Sequence, residues 1–221
     1  MSGCVASGGD GSPSADAVPP ATPRANPPLP ADPLIGFYGD SYTLGTGASS
    51  PAKRWSTIVC GERGWREFNP SVNGLGFVNN RAADGVDLPA AIIAKKPDIV
   101  MVTMGLNDNF SYDSAAAEIH RRIDADIAHL AGALPEARLI VVEPFWYTDD
   151  RPASLGVITG WVHAAAIRAG ADWIPGASHW IEHHPEWMAR DGLHPNDAGY
   201  AHMAGEMDAA LTKLGLPAKN P

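Results

Sequence analysis

The sequence predicts an α/β fold: a three-layer α/β/α sandwich with a central parallel sheet of about five strands. Three observations carry this expectation. Short apolar runs alternate with stretches of helical period from residue 34 almost to the end, and strands that alternate with helices form parallel sheets. The clearest run, IVMVTM at 99–104, is apolar at nearly every position rather than at every second one, as suits a strand covered on both faces. Finally, 221 residues suffice for one well-buried core and are too few for two.

The elements follow in order. Residues 34–38 (LIGFY) are an apolar run that stops at Gly39, the first strand. Residues 55–63 read as a helix and 67–72 as a short second strand. Residues 88–94 read as a helix, and 99–104 are the third strand. The next helix is marked by Ile119, Ile123, Ile127, Leu130 and Leu134, which share one helical face until Pro135 ends it. Residues 139–142 make the fourth strand, 155–169 a helix, and 173–175 a short fifth strand. A final helix spans 196–214, its stripe being Tyr200, Met203, Met207, Leu211 and Leu214.

Eight of the twenty prolines fall within residues 1–33, among Gly, Ser, Ala and Asp. Such a segment has too little apolar surface to offset the entropy of ordering itself. Residues 1–33 are therefore expected to be a disordered tether and 34–221 the folded domain. Proline-rich chain extends about 3.1 Å per residue, so the tether would reach several tens of Å. Sixteen basic against twenty-five acidic residues give a net charge of -9, the wrong sign for neutralising nucleic-acid phosphates. No run of eighteen or so apolar residues is present to span a membrane. Cys4 and Cys60 are too few for a disulfide scaffold or a four-cysteine zinc site. Cys60 is expected as a small buried hydrophobe. Small residues just before Cys4, followed by the tether, resemble a bacterial lipoprotein's lipidation site. That reading implies an extracytoplasmic protein, secreted or lipid-anchored to the cell envelope, with its signal peptide not present in this chain.

In an open parallel sheet, ligands bind beyond the carboxyl ends of the strands. The first strand there hands over Gly39-Asp40-Ser41-Tyr42-Thr43, the second Asn73-Gly74-Leu75-Gly76, and the third Gly105-Leu106-Asn107-Asp108. A hydroxyl nucleophile, a glycine N–H and a side-chain amide suit acyl transfer. Before the last helix stands Asp191-Gly192-Leu193-His194-Pro195-Asn196. An Asp and a His three apart on a turn can meet, the carboxylate holding one ring nitrogen and the other facing outward. Singly, each piece is ordinary loop chemistry, with Asp40 or Ser41 capping a helix and Asn107-Asp108 forming a turn. Their joint presence at strand ends is far more specific.

The blocks GDSYT, NGLG, GLND and DGLHPN resemble the SGNH/GDSL hydrolase superfamily of esterases, lipases, thioesterases and carbohydrate deacetylases. The resemblance covers residues 34–214. It implies Ser41 as nucleophile, His194 as general base and Asp191 as its orienting acid. It also implies an oxyanion hole made by the Ser41 N–H, the Gly74 N–H and the Asn107 amide. The first block reads GDSY where the family has GDSL, and Asn73 stands where small residues are usual. Asp40 and Asp108 compete with Asp191 for His194, but each sits beside its own loop.

No metal or other cofactor is required. His179 and His183 are spaced to share a helical face, yet the order needed for a zinc protease is missing, and a polar loop shielding the site mouth is the simpler reading. Tyr42, Trp146, Trp180 and Trp187 are candidate substrate contacts, although aromatics are as often packing residues. The expected function is a serine ester hydrolase acting through an acyl-enzyme, on short acyl esters of carbohydrate or related envelope substrates. A lipid esterase or an acyltransferase would use the same residues. A carbohydrate-binding module would need the aromatics but not Ser41, Asn107 or His194.

Overall fold

Strands β1 (Leu34–Gly39), β2 (Arg66–Phe68), β3 (Ile99–Thr103), β4 (Arg138–Val142) and β5 (Asp172–Ile174) form one sheet. Its order is β2-β1-β3-β4-β5, with every neighbouring pair parallel. The computed structural model describes residues 24, 26–81, 85, 87–216 and 218. From β1 the chain first adds β2 on one side, then crosses to β3 on the other. The direction of winding therefore reverses between β1 and β3, and a crevice opens at their carboxyl ends.

Helices cover both faces, as the sequence predicts. Helices α2 (Trp55–Arg63) and α6 (Asp197–Lys213) lie on one face, packing Trp55, Val59, Met203, Met207 and Leu211 against Ile35, Phe37, Ile99, Met101 and Ile140. Helices α3 (Leu88–Lys95), α4 (Tyr112–Ala133) and α5 (Ala153–Arg168) lie on the other, packing Ile92, Ile119, Ile123, Ile127, Ile158 and Val162 against Val100, Val102, Leu139 and Val141. Successive strand residues point to opposite faces, so the apolar run 99–102 supplies both cores, Ile99 and Met101 one and Val100 and Val102 the other. Among the described residues no helix is long and apolar enough to cross a membrane.

Two differences from the sequence reading matter. The second strand ends at Phe68 instead of continuing to residue 72. Pro70 has no N–H for a ladder, and Asn69 turns the chain away: its amide donates to the Thr43 carbonyl at 2.7 Å, while its Oδ1 accepts from the Ser71 N–H at 3.2 Å. Residues 69–80 become a long loop leading into the crevice. The domain also starts before residue 34. The Arg24 guanidinium donates to the carbonyls of Ala131, Leu134 and Ala137 at the end of α4, and Leu29 packs on the core of the α2–α6 face. A helix terminus leaves carbonyls without partners, and a guanidinium fork can serve several of them. Cys60 is buried in α2, where burial pushes its thiol well above the ordinary range. Cys4 and its lipidation reading lie outside the described residues.

Candidate active site

Ser41 is the first residue of α1 (Ser41–Leu44), directly after β1. Asp40 caps that short helix, its Oδ1 accepting the Tyr42 N–H at 2.9 Å. Gly39 is forced by close packing. A Cβ there would sit 2.5–2.6 Å from Thr43 and Thr103, whose hydroxyls share a hydrogen bond of 2.6 Å. Among the described residues, neither the Ser41 hydroxyl nor its N–H is engaged by another protein group.

Asp191 and His194 stand on a turn before α6. The Asp191 Oδ2 lies 2.7 Å from the His194 Nδ1, while its Oδ1 accepts the N–H groups of Leu193 and His194, both at 3.0 Å. The His194 ring and these two backbone N–H groups hold the Asp191 carboxyl down at about 2. An ionised carboxylate only accepts hydrogen bonds, so the proton of this pair sits on Nδ1. The turn is closed by Ala189 N–H donating to the His194 carbonyl at 2.7 Å.

This turn is stitched to the chain just after Ser41. Tyr42 donates its hydroxyl to the Leu193 carbonyl at 2.7 Å, and its ring centroid lies 6.1 Å from that of His194. Tyr200 donates to the Thr46 carbonyl at 2.7 Å. Gly47, at a positive φ of 94°, lies so close that a Cβ would meet the Pro195 carbonyl at 2.5 Å. The first and last blocks, 150 residues apart in sequence, thus form one surface.

The middle blocks form the floor. The Asn107 Nδ2 lies 3.2 Å from the Asp40 Oδ2 and 3.0 Å from the Leu75 carbonyl. Asp108 accepts the backbone N–H groups of Phe77 and Val78 at 2.8 Å and of Asn79 at 3.3 Å. Gly76 donates its own N–H to the Asn79 carbonyl at 2.8 Å, whereas the Gly74 N–H has no acceptor among the described residues. Gly74 has φ of 70°, and its carbonyl is held by the Asn79 amide at 2.8 Å. Asp40 and Asp108 are both fully buried. Burial, with Asp108 nearby, raises the Asp40 carboxyl to about 7 despite the Tyr42 N–H. Burial raises Asp108 too, against the pull of its three N–H partners.

The aromatic candidates separate. Tyr42 and Trp146 are buried, and their polar atoms are taken, the Trp146 Nε1 by Thr148 and the Asp150 carbonyl. Both pack the core behind the site, which corrects their reading as substrate contacts. Trp180 and Trp187 are half-buried. Trp187 stacks on His184, with ring centroids 3.6 Å apart, and meets the tilted ring of His202 at 4.3 Å. His179 ends a short 3-10 helix (Ala177–His179) and His183 sits in the turn beyond it, so they share no helical face, and each ring lies on its own carboxylate, Glu182 and Asp149. Among the described residues no cluster of His, Cys, Asp or Glu is placed to hold a metal ion.

Two features were not read from the sequence. An open groove of about 400 Å³ flanks the Asp191 turn, lined by Tyr147, Ile181, His184, Met188, Arg190 and Gly192 among others. Its residues come from two separate loops, and only the fold joins them. Phe110 lies 56% exposed in the turn that begins at Asn107. A large apolar residue beside a polar block was a legible signal.

A family model, the GDSL-like lipase/acylhydrolase family, matches residues 37–202. The chain belongs to that family. It is a serine ester hydrolase. A GDSL lipase of Mycobacterium tuberculosis is 30% identical over 217 residues, covering 89% of this chain and 90% of that protein. Among solved structures, the psychrotrophic esterase EstA from Pseudoalteromonas superposes with a TM-score of 0.68 at 17% identity, over 83% of this chain and 98% of that one. An acetylxylan esterase from Geobacillus stearothermophilus superposes with a TM-score of 0.63 at 18% identity, over 84% and 95% of the two chains. At these identities the structures speak for a shared fold.

Proposed function

We propose that this hydrolase works through an acyl-enzyme formed on Ser41 and acts on short acyl esters of carbohydrate or related envelope substrates. The observation that carries the mechanism is the Asp191–His194 pair at 2.7 Å, on a turn stitched to the segment that follows Ser41. Serine is inert at its free pKa and needs a neighbouring base. The His194 Nε2 takes the Ser41 proton as Oγ attacks the ester carbonyl. Asp191 fixes the ring tautomer and stabilises the imidazolium. Negative charge then develops on the former carbonyl oxygen, where the N–H groups of Ser41 and Gly74 and the Asn107 amide receive it. Loss of one such donor typically costs about 3–4 kcal/mol. Collapse releases the alcohol with the proton from His194. Water, activated by the same ring, attacks the acyl-enzyme and releases the acid.

The substrate class rests on the groove beside the turn, open and of mixed polarity, with Tyr147 and Met188 next to Arg190 and Asp149. Such a surface suits a sugar better than a long acyl chain, which needs a continuous apolar channel. The similarity to a lipase favours lipid esters as the second reading. The proline-rich segment and Cys4 support a place outside the cytoplasm.

A fluorophosphonate with intact mass and peptide mapping tests the mechanism. One adduct on Ser41 is expected, and none after Ser41→Ala. An active preparation labelled elsewhere overturns the assignment. Turnover of acetyl, butyryl, octanoyl and palmitoyl esters then decides the class, with acetyl fastest if the carbohydrate reading holds and long chains fastest if the lipid reading does.

A further inference from the structure

Two contacts of one side chain tie the floor of the site together. The Asn107 amide nitrogen reaches the Asp40 carboxylate at 3.2 Å and the Leu75 carbonyl at 3.0 Å. Asp40 directly precedes Ser41, and Leu75 directly follows Gly74. Each of the other two proposed oxyanion donors is therefore one residue from an atom that holds the third.

Asp40 has a second duty. Its other oxygen caps α1 through the Tyr42 N–H at 2.9 Å, which sets the backbone at Ser41. The carboxylate is fully buried, and burial raises its pKa to about 7. A cap alone does not call for a buried carboxylate, since serine or asparagine serves as well at such a position.

We propose that Asp40 is a positioning residue for the oxyanion hole, its carboxylate linking the backbone of the nucleophile's helix to the Asn107 amide. This rests on the roles proposed above for Ser41 and Asn107. An amide nitrogen has two N–H groups, so a substrate oxygen shares one of them with the two protein acceptors. The longer contact, to Asp40, is the one shared, and it sets the direction of that N–H before substrate arrives. Donors that are already oriented avoid reorganisation when charge develops. Asp40 touches neither substrate nor the reacting atoms and acts through Asn107.

A double-mutant cycle separates this from a purely structural role. Asp40→Ser keeps an acceptor for the Tyr42 N–H but is too short to reach Asn107. Asp40→Asn offers a single acceptor to two donors and carries the same cycle if the serine variant does not fold. Each is combined with Asn107→Ala, and kcat and KM are measured at pH 8 on an acetyl ester alongside melting temperature. In the wild-type background, Asp40→Ser should lower kcat about tenfold or more with KM nearly fixed. In the Asn107→Ala background the same change should alter kcat less than about twofold. An equal loss in both backgrounds overturns the proposal and leaves Asp40 as a cap. If Asn107→Ala alone retains wild-type kcat, the oxyanion reading fails, and this proposal with it.

Discussion

Asp191 keeps 48% of its side chain exposed, and every group it binds lies within three residues. Asp40 and Asp108 are fully buried, and they reach partners up to 67 residues away. The exposed carboxyl is held down at about 2, while the buried one at position 40 rises to about 7. One half of the site is thus a self-contained turn in which local hydrogen bonds favour the charged form. The other half is a junction of three chain segments in which lost hydration outweighs the hydrogen bonds. The contrast matches the two tasks. A carboxylate that only orients the base can stay wet, whereas oxyanion donors gain strength from being dry and fixed.

The largest effect should come from breaking the exposed half. Asp191→Asn keeps a side-chain oxygen to accept the turn's backbone N–H groups but no longer fixes the His194 tautomer. It should lower kcat about 10³–10⁴-fold, as in other triads, and His194→Ala should lower it at least as far. Because the side chain is half exposed and solvent screens its charge, the loss of unfolding stability should be about 1 kcal/mol or less. Chemical denaturation and turnover on one preparation test both halves of the statement. Near wild-type turnover would reduce Asp191 to a turn residue.

The same contrast explains what the sequence revealed. Asp191 and His194 are three residues apart, so their meeting follows from turn geometry alone. Ser41 and Asn107 each follow an apolar run, Gly74 follows a segment with no such run, and the motif blocks supply their company. The link from Asn107 to Asp40 and Leu75 was not legible, because strand order, not local spacing, sets β1 beside β3. Burial was equally hidden for the aromatics: Tyr42 and Trp146 have the residue type of sugar platforms, yet the fold turns them inward. The helices were legible because their stripes are long and periodic. The second strand was misjudged by four residues because an edge strand of three residues carries almost no pattern.

A second, smaller effect would sharpen the contrast through pH. An unfolded Asp titrates near about 3.9, and buried Asp40 near about 7. Below about pH 4 the carboxyl is neutral in both states and costs nothing. Between about 4 and 7 the unfolded chain gives up its proton while the native one keeps it, so stability falls as pH rises. Above 7 the full cost stands, on the order of 4 kcal/mol. Asp191 runs the other way, since its lowered pKa adds stability above about 4 that is lost as pH falls towards 2. Asp40→Asn removes only the first contribution. Urea unfolding of variant and wild type at pH 4.5 and 8 should show the difference moving in the variant's favour at the higher pH. A difference independent of pH would mean that Asp40 is not carrying a buried charge.

The smallest effect belongs to a contact remote from both halves. Arg24 binds three carbonyls at the end of α4, at the edge of the sheet opposite the crevice, since Ala137 precedes β4 and parallel strands all start there. These bonds are partly buried, and the Nε of the same guanidinium is buried without a partner among the described residues, which offsets part of their gain. A net contribution of about 1 kcal/mol follows, or a loss of about 2–4 °C in melting temperature for a chain of this size. Arg24→Ala should show that loss with kcat and KM unchanged, because neither the turn nor the floor touches this end of α4. Arg24→Lys should recover only part of it, an ammonium being unable to spread over three carbonyls as a planar fork does. An unaltered melting temperature would return the domain's beginning to residue 34, whereas a fall in kcat would show that the foot of the sheet is coupled to the site above it.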